Sequence, residues 1–357
     1  MAQNPVINES FYNFPCHFPY HDIPKVYQGG RLEMVATFNE SLKQPIVGVA
    51  LGGGGLRGTA HIGVLEILRS KGLQIDMVAG TSAGSIIAVL HALGWTPKNM
   101  ISFLSEVTIT DYVDHVANVK TLLLMATKGV LDRFSLPHRW LPPTPLGLIR
   151  GRKFEKLLCR LTGDQSFYQI NFPLLVTATD ICSGRLVCFC PPGLVQQLDR
   201  MRPEIIFSSD SSLAQAVRAS TAIPGIFHPV IWQGRLLVDG GVKNNVPSDL
   251  LHWAGADLVI AVDLGFDSES SEKIDTILEI LIQSLDIMGQ TTTEIRLEQT
   301  ADVVIQPRTG SASLTDLTKV PQMIEIGRQA ALDAWPEITL LLQNFAKRRS
   351  RVLPHPF

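Results

Sequence analysis

The segment Gly80–Gly84 (GTSAG) fits the pattern G-x-S-x-G, with a serine between two glycines. The apolar run before it, about Ile75–Ala79, predicts a buried strand, and Ala83–Leu93 after it predicts a helix. A sharp strand-to-helix turn of this kind projects the serine hydroxyl, and the glycines let both arms approach without Cβ clashes. The hydroxyl would also lie at a helix N-terminus, which favours an oxyanion. Ser82 is thus a candidate nucleophile, the alternative being a serine N-cap in a tight turn.

A second glycine-rich segment, Gly52–Gly58 (GGGGLRG), follows the predicted strand Pro45–Leu51. Its exposed backbone N–H groups could bind a phosphate or a developing oxyanion. A dinucleotide site would need an acidic residue at the end of the second strand, but Asp76 lies at the start of that strand. A P-loop would need a Lys-Ser/Thr pair after the glycines, which is missing. The segment is therefore interpreted as an oxyanion hole facing Ser82.

The candidate base is Asp239, which begins an Asp-Gly-Gly turn after the predicted strand Leu236–Val238. A serine nucleophile usually has a histidine base, and in α/β-hydrolases that histidine follows the acid in sequence. Only His252 and His355 do so, the first inside a predicted helix and the second in the tail. The Asp239 carboxylate would reach the sheet edge of Ser82 if the two strands are parallel. An aspartate that merely starts a glycine-rich turn is the alternative.

Taken together, the glycine loop, the serine turn and the Asp-Gly-Gly turn closely resemble the patatin-like phospholipases, particularly the bacterial group. Four further segments match the family: Ala60–Leu65 (AHIGVL), Ala178–Asp180 (ATD), Ala219–Pro224 (ASTAIP) and Asn244–Pro247 (NNVP). The resemblance covers about residues 45–335. It implies a Ser–Asp dyad without histidine, an oxyanion hole from the glycine loop, and hydrolysis of lipid acyl esters.

Carried onto this sequence, the resemblance makes Ser82 the nucleophile and Asp239 the general base. Gly54 and Gly55 are the first expected amide donors to the oxyanion, and Gly53 is the next. The residues expected to support the site are Arg57, Gly58, Gly80, Gly84, Gly240 and Gly241. Where the family often has an acidic or small residue before the glycines, this chain has Gly52. The expected chemistry needs no metal or other cofactor, and the sequence shows no acidic calcium loop.

The order of strand and helix signals predicts an α/β protein. With the resemblance, this becomes a patatin-like three-layer α/β/α fold with a mainly parallel central sheet. Besides the strands named above, we predict strands at Leu174–Thr179, Leu186–Phe189, Leu258–Val262 and Val303–Ile305, and helices at about Gly58–Lys71, Pro247–Ala254 and Val320–Leu332.

Three parts of the chain are predicted around this pattern: an irregular arm at 1–44, a catalytic domain at 45–340 and a basic tail at 341–357. The domain contains a lid- or cap-like insert at about 98–150. Within it, Phe134–Ile149 is rich in proline and large apolar residues and is flanked by basic ones. This stretch is either a fixed internal cap or a mobile lid that enters lipid headgroups. Basic residues in the tail would favour an anionic membrane surface.

Composition restricts the partners and the compartment. The 357 residues carry a net charge of −2, which gives no reason to expect nucleic acid as a partner. The sequence shows neither a secretory signal nor an apolar window of roughly 20 residues. Five cysteines without a C-x-x-C pair fit a reducing cytoplasm, with peripheral membrane contact as an option. Cys188 and Cys190 are expected to be reduced, buried thiols, a metal site being the alternative.

Three other functions compare with the expected phospholipase or lysophospholipase, and the first two of them stay open. The first is a carboxylesterase that acts on acyl esters other than phospholipids, because the dyad does not choose its acyl chain. The second is a non-catalytic interaction protein on the same fold, which loss of Ser82, Asp239 or the glycines would favour. The third, a nucleotide-binding oxidoreductase, conflicts with the position of Asp76. The expected partner is a lipid acyl ester.

Overall fold

The computed structural model describes residues 44–114, 146–265, 277–310 and 316–352. The predicted arm, except for its last residue, and most of the Phe134–Ile149 stretch lie outside this part of the chain.

The strands are β1 Val47–Leu51, β2 Met77–Gly80, β3 Gly147–Ile149, β4 Leu174–Asp180, β5 Arg185–Phe189, β6 Ile206–Ser208, β7 Gly225–Phe227, β8 Val230–Trp232, β9 Arg235–Asp239, β10 Leu258–Val262 and β11 Val303–Ile305. The α-helices are α1 Ala60–Ser70, α2 Ala83–Ala92, α3 Pro97–Glu106, α4 Ile109–Tyr112, α5 Arg152–Thr162, α6 Pro192–Met201, α7 Leu213–Ser220, α8 Ser248–Trp253, α9 Ile277–Thr300 and α10 Val320–Val352.

The main sheet has the strand order β11-β10-β1-β2-β4-β5-β6. From β11 to β4 every neighbouring pair is parallel, whereas β4 and β5 form an antiparallel hairpin and β6 is parallel to β5. Parallel neighbours need long crossover connections, and helices such as α1 provide them. The prediction of a mainly parallel central sheet is confirmed.

Helices cover both faces of this sheet. Successive residues of a strand point to opposite faces, and in β1 Val49 belongs to one apolar core whereas Ala50 belongs to another. The first core also holds residues of α1, α2, α7 and α10, and the second holds residues of α6, α8 and α9. The three-layer α/β/α arrangement is therefore confirmed, and all seven predicted strands are present with small shifts of their ends.

Two predictions of helix ends differ from the structure. The helix predicted from about Gly58 begins as a 3₁₀ turn over Gly55–Thr59 before α1 starts. The helix predicted to end at Leu332 continues to Val352, because apolar residues recur at helical spacing and Ile338 is completely buried. The helix thus enters the segment predicted as a basic tail. None of the helices in the described ranges is long and apolar enough to cross a membrane.

The strand that carries Asp239, β9, is antiparallel to β4, so the parallel arrangement on which the sequence argument was conditional is not the one in the structure. β2 pairs with residues 174–176 of β4, and β9 pairs antiparallel with residues 178–180 of the same strand. Because β5 pairs with the other edge of β4, β2 and β9 share one edge and run towards each other. Their carboxyl ends meet, and this end-to-end meeting brings Ser82 and Asp239 together without parallel strands.

Candidate active site

The turn between β2 and α2 holds Ser82 at a positive φ, with φ 52° and ψ −124°. A non-glycine residue rarely adopts a positive φ, and such strain is typical of functional turns. A Cβ at Gly80 would lie 2.5 Å from the Gly84 carbonyl oxygen, and one at Gly84 would overlap the Leu51 carbonyl. Both glycines are therefore required for the close approach of the two arms, as the G-x-S-x-G pattern predicted.

Ser82 and Asp239 are in direct contact. The Ser82 hydroxyl donates to Oδ2 of Asp239 at 2.7 Å, and the Gly241 amide donates to Oδ1 at 2.8 Å. Both residues are 6% exposed, so the pair is shielded from bulk water yet reaches the surface. A Cβ at Gly240 would collide with the Thr177 hydroxyl. The Asp-Gly-Gly sequence thus lets the carboxylate lie directly under the serine.

Burial changes the proton affinity of this carboxylate. It raises the pKa of Asp239 from its ordinary value of 3.8 to about 7, even though the Ser82 hydroxyl and the Gly241 amide lower it. The negative charge of Asp286 raises it further. A carboxylate with a pKa near 7 can accept a proton and return it at neutral pH, which is the property of an effective general base.

The segment Ala219–Pro224 (ASTAIP), one of the four further segments that match the family, holds the backbone of both Ser82 and Asp239. The Ser220 hydroxyl, at the end of α7, accepts from the Ser82 amide at 2.9 Å. Two residues later the Ala222 carbonyl accepts from the Asp239 amide at 3.0 Å. Because one rigid stretch bonds both backbones, it fixes the separation of serine and aspartate.

The glycine loop passes directly beside Ser82. A Cβ at Gly53 would lie 3.2 Å from the Cβ of Ser82 and 2.5 Å from Oδ1 of Asn245. The Gly53 amide donates to the Asn245 carbonyl at 3.1 Å. In the structure the Gly53 amide is therefore already bonded within the protein, which makes Gly53 the least available of the three predicted oxyanion donors. The amides of Gly54 and Gly55 have no hydrogen-bond acceptor among the described residues, so both are available to an oxyanion, and their role as donors stays a prediction.

Side chains behind the loop hold its carbonyls. His61 is completely buried, its Nε2 lies 2.8 Å from the Gly52 carbonyl oxygen, and burial lowers its pKa to about 4, so it is a neutral donor there. Arg57 donates through Nε to the Gly54 carbonyl at 3.2 Å. A Cβ at Gly58 would collide with that of Ala83, at the start of α2. The loop is therefore packed closely against the serine turn.

The other predicted candidates lie elsewhere. His252 is exposed on α8, and His355 lies beyond the described residues. Cys188 and Cys190 are completely buried, and burial raises the pKa of the Cys188 thiol. Across the described ranges, no three His, Cys, Asp or Glu side chains are grouped to hold a metal ion.

A family model described as "Patatin-like phospholipase" matches residues 49–252. An uncharacterized NTE family protein of Mycobacterium tuberculosis is 30% identical over 253 residues, which are 70% of this chain and 58% of the relative. Neuropathy target esterase sws of Drosophila melanogaster is 30% identical over 63% of this chain and 13% of its own length. Lysophospholipase nte1 of Aspergillus fumigatus is 28% identical over 64% of this chain and 12% of its own length. The chain thus spans little more than half of the mycobacterial relative and about an eighth of the other two.

Among solved structures, VipD of Legionella pneumophila is similar with a TM-score of 0.43 and 16% identity, covering 82% of this chain and 66% of VipD. Human GIVD cytosolic phospholipase A2 is similar with a TM-score of 0.42 and 14% identity, covering 85% of this chain and 61% of the enzyme. The family model covers more than half of the chain, including the serine turn, the glycine loop and the Asp-Gly-Gly turn. The chain belongs to the patatin-like phospholipase family.

Proposed function

We propose that this protein hydrolyses carboxylic esters of phospholipids or lysophospholipids, with Ser82 as nucleophile and Asp239 as general base. The observation that carries the proposal is the 2.7 Å hydrogen bond from the Ser82 hydroxyl to the Asp239 carboxylate. A nucleophile within hydrogen-bond reach of its base, on a strained turn, is the arrangement that acyl transfer requires.

In the first half of the reaction, Asp239 accepts the proton of Ser82 while Oγ attacks the ester carbonyl carbon. The carbonyl oxygen becomes an oxyanion, which the amides of Gly54 and Gly55 stabilise together with the N-terminus of α2. When the tetrahedral intermediate collapses, the bond to the leaving alcohol breaks and Asp239 gives that alcohol its proton. The acyl group stays on Ser82 as an ester.

In the second half, the same carboxylate removes a proton from water, whose oxygen attacks the acyl carbon. The second tetrahedral intermediate uses the same two amides. Its collapse releases the fatty acid, and the proton held by Asp239 returns to the Ser82 oxygen. One carboxylate thus serves both steps, for which the pKa of Asp239 near 7 is suited.

The choice of a lipid ester is supported by the family and by the names of two relatives, a neuropathy target esterase and a lysophospholipase. The alternative, an esterase for acyl esters other than phospholipids, uses the same residues. The non-catalytic alternative is disfavoured because the serine, the aspartate and the glycines are all present and, in the structure, adjacent.

A lipid substrate has to be taken from an aggregate, so the proposal includes peripheral contact with an anionic membrane surface. The residues predicted to make this contact, Phe134–Ile149 and the basic tail, lie mostly outside those whose side chains the structure describes. Co-sedimentation with anionic vesicles at low and high salt, with the wild type and a Trp140→Ala, Leu141→Ser variant, tests the contribution of that stretch. We expect weaker sedimentation of the variant, and equal sedimentation would assign the stretch to the protein interior.

The experiment that tests the function compares soluble and lipid esters. Purified protein is assayed with p-nitrophenyl esters of increasing chain length, and with intact and lyso phospholipids. Release of fatty acid from the phospholipids supports the proposal. Turnover of the p-nitrophenyl esters alone would favour the carboxylesterase, and no turnover of any ester would favour the non-catalytic alternative.

A further inference from the structure

The guanidinium of Arg57 is the centre of a network behind the glycine loop. Its Nη1 donates to the Gly265 carbonyl at 3.3 Å, and its Nη2 lies 2.7 Å from Oδ2 of Asp286. The two charged side chains are 12% and 26% exposed, so water screens their attraction only partly. Asp286 belongs to α9, beyond the residues 49–252 that the family model matches.

The same guanidinium fixes one peptide of the loop. The Gly54 carbonyl accepts both from Nε of Arg57 at 3.2 Å and from the Arg57 amide at 3.1 Å. In a trans peptide the N–H points away from the carbonyl, so a fixed Gly54 carbonyl also fixes the direction of the Gly55 N–H. An oxyanion hole depends on donors that are oriented before the charge develops.

We propose that Asp286 is a positioning residue for the oxyanion hole, acting through Arg57 on the Gly54–Gly55 peptide. The inference rests on the proposed function, since it concerns the same hydrolytic reaction. Asp286 restrains the far end of the guanidinium, and without this restraint the Nε bond to the Gly54 carbonyl would be made only part of the time. The Gly55 N–H would then lose its fixed direction.

The charges around this network give the proposal a signature in the pH dependence. Asp239 is the proposed base. Burial has the largest effect and raises its pKa, its hydrogen bonds lower the pKa, and the Asp286 charge raises it. Asp263, at the end of β10, is a further carboxylate near Arg57; burial raises its pKa, and the charge of Glu294 adds to that effect. Removing the Asp286 charge should therefore shift the ionisation of Asp239 to lower pH at an unchanged melting temperature. A loosened fold would also lower the pKa of Asp239, by hydrating its carboxylate, but it would lower the melting temperature as well.

The test uses the full chain and three variants, Asp286→Asn, Asp286→Glu and Glu66→Gln. Glu66 is a matched control because it pairs with an arginine, Arg328, at 2.8 Å. This pair lies between α1 and α10, which pack on the other face of the sheet from α9. For a soluble p-nitrophenyl ester, kcat and KM are measured from pH 5 to 9, with the rate of labelling by a fluorophosphonate. We expect Asp286→Asn to lower kcat on the order of ten-fold with little change in KM. Its acid limb should move to lower pH, Asp286→Glu should regain most of both properties, and Glu66→Gln should behave as wild type.

A wild-type kcat and acid limb for Asp286→Asn would overturn the inference, as would a lower kcat that comes with an unmoved limb or with early melting. If Asp286→Asn does not fold, Arg57→Lys provides the second variant. It keeps the charge but cannot bond both the carbonyl and the carboxylate, so kcat should fall without a shift of the limb, and an unchanged kcat would contradict the inference. If wild-type protein hydrolyses no ester and its Ser82 is not labelled, the proposed function fails first and this inference with it.

Discussion

Ser82 and Asp239 face each other because the strands that lead to them meet end to end along one edge of β4. Gly80, the last residue of β2, is paired with Val176, and Asp239, the last residue of β9, is paired with Ala178. The single residue between these partners is Thr177, whose hydroxyl lies 2.6 Å from that of Thr81. The contact of serine and aspartate is therefore built into the pairing of the sheet.

Replacement of the serine hydroxyl should abolish hydrolysis and leave the fold intact. Ser82→Ala removes the attacking oxygen and the bond to Asp239, and alanine fits the space. We expect no measurable turnover of p-nitrophenyl esters and a circular dichroism spectrum like that of wild type. A fluorophosphonate should label Ser82 in the wild-type protein, as read by peptide mass spectrometry. Labelling at Ser85 or Ser220 instead would show that the nucleophile is misassigned.

Removal of the proton acceptor should lower kcat less than removal of the nucleophile does. Asp239→Asn keeps the shape of the side chain but cannot take up the serine proton, so we expect kcat to fall on the order of 10²–10⁴-fold. The matched controls are His252→Ala and His355→Ala, which should retain most of the activity. A histidine variant as slow as Asp239→Asn would require a triad in place of the dyad.

The sequence predicted both ends of this contact but not the way in which the fold makes it. The glycine patterns identified the two turns because only glycine permits the close approaches at Gly80, Gly84 and Gly240. The direction of β9 was not predicted, since a three-residue apolar run such as Leu236–Val238 does not reveal its partner or orientation. Asp286 was also missed, because an acidic residue on a long helix resembles any solvated side chain until its partner is known.

The rate should follow the ionisation of Asp239. Burial raises its pKa to about 7, and only the ionised carboxylate can accept the serine proton. We therefore expect kcat/KM for a soluble ester to increase about ten-fold per pH unit below pH 7 and to level off above it. A rate constant that is level from pH 5 to 9 would show that the base titrates near the ordinary value of an aspartate.

The proton on Asp239 should also affect stability. As the pH rises, the rate should increase, whereas the contribution of Asp239 to stability should decrease. The folded protein keeps a proton on Asp239 up to about pH 7, whereas an unfolded aspartate loses it near 3.8. The unfolded state thus binds fewer protons between these values, and this residue makes the wild type less stable as pH rises through that range. Asparagine does not titrate. The free energy of unfolding of Asp239→Asn relative to wild type should therefore be higher at pH 8 than at pH 4, by on the order of a few kcal/mol.

Urea unfolding of both proteins at several pH values measures this difference. Asp249 and Asp263 also have raised pKa values through burial, and that of His61 is lowered, but these groups are common to both proteins and cancel in the comparison. A difference in the free energy of unfolding that stays constant from pH 4 to 8 would contradict a raised pKa at Asp239.

Two serines that contact the backbone of Ser82 should differ in importance. The Ser220 hydroxyl is the acceptor for the Ser82 amide at 2.9 Å, so Ser220→Ala leaves a buried N–H without a partner. The Ser85 hydroxyl donates to the Ser82 carbonyl at 2.6 Å, but the Ser85 amide also donates to that carbonyl at 2.9 Å, so Ser85→Ala leaves it bonded. An unpaired buried donor costs about 1–3 kcal/mol, whereas loss of one of two bonds costs less.

We therefore expect Ser220→Ala to lower both the melting temperature and kcat. The value of kcat should fall roughly five- to 100-fold, because the strained turn loses a restraint that sets the position of the nucleophile. Ser85→Ala should stay within about two-fold of wild type in kcat. Labelling by a fluorophosphonate, which needs a well-placed Ser82 but no acyl-chain contacts, should slow in the same order. Equal losses in the two variants would mean that the Ser220 hydroxyl does not hold the nucleophile and that helix packing alone shapes the turn.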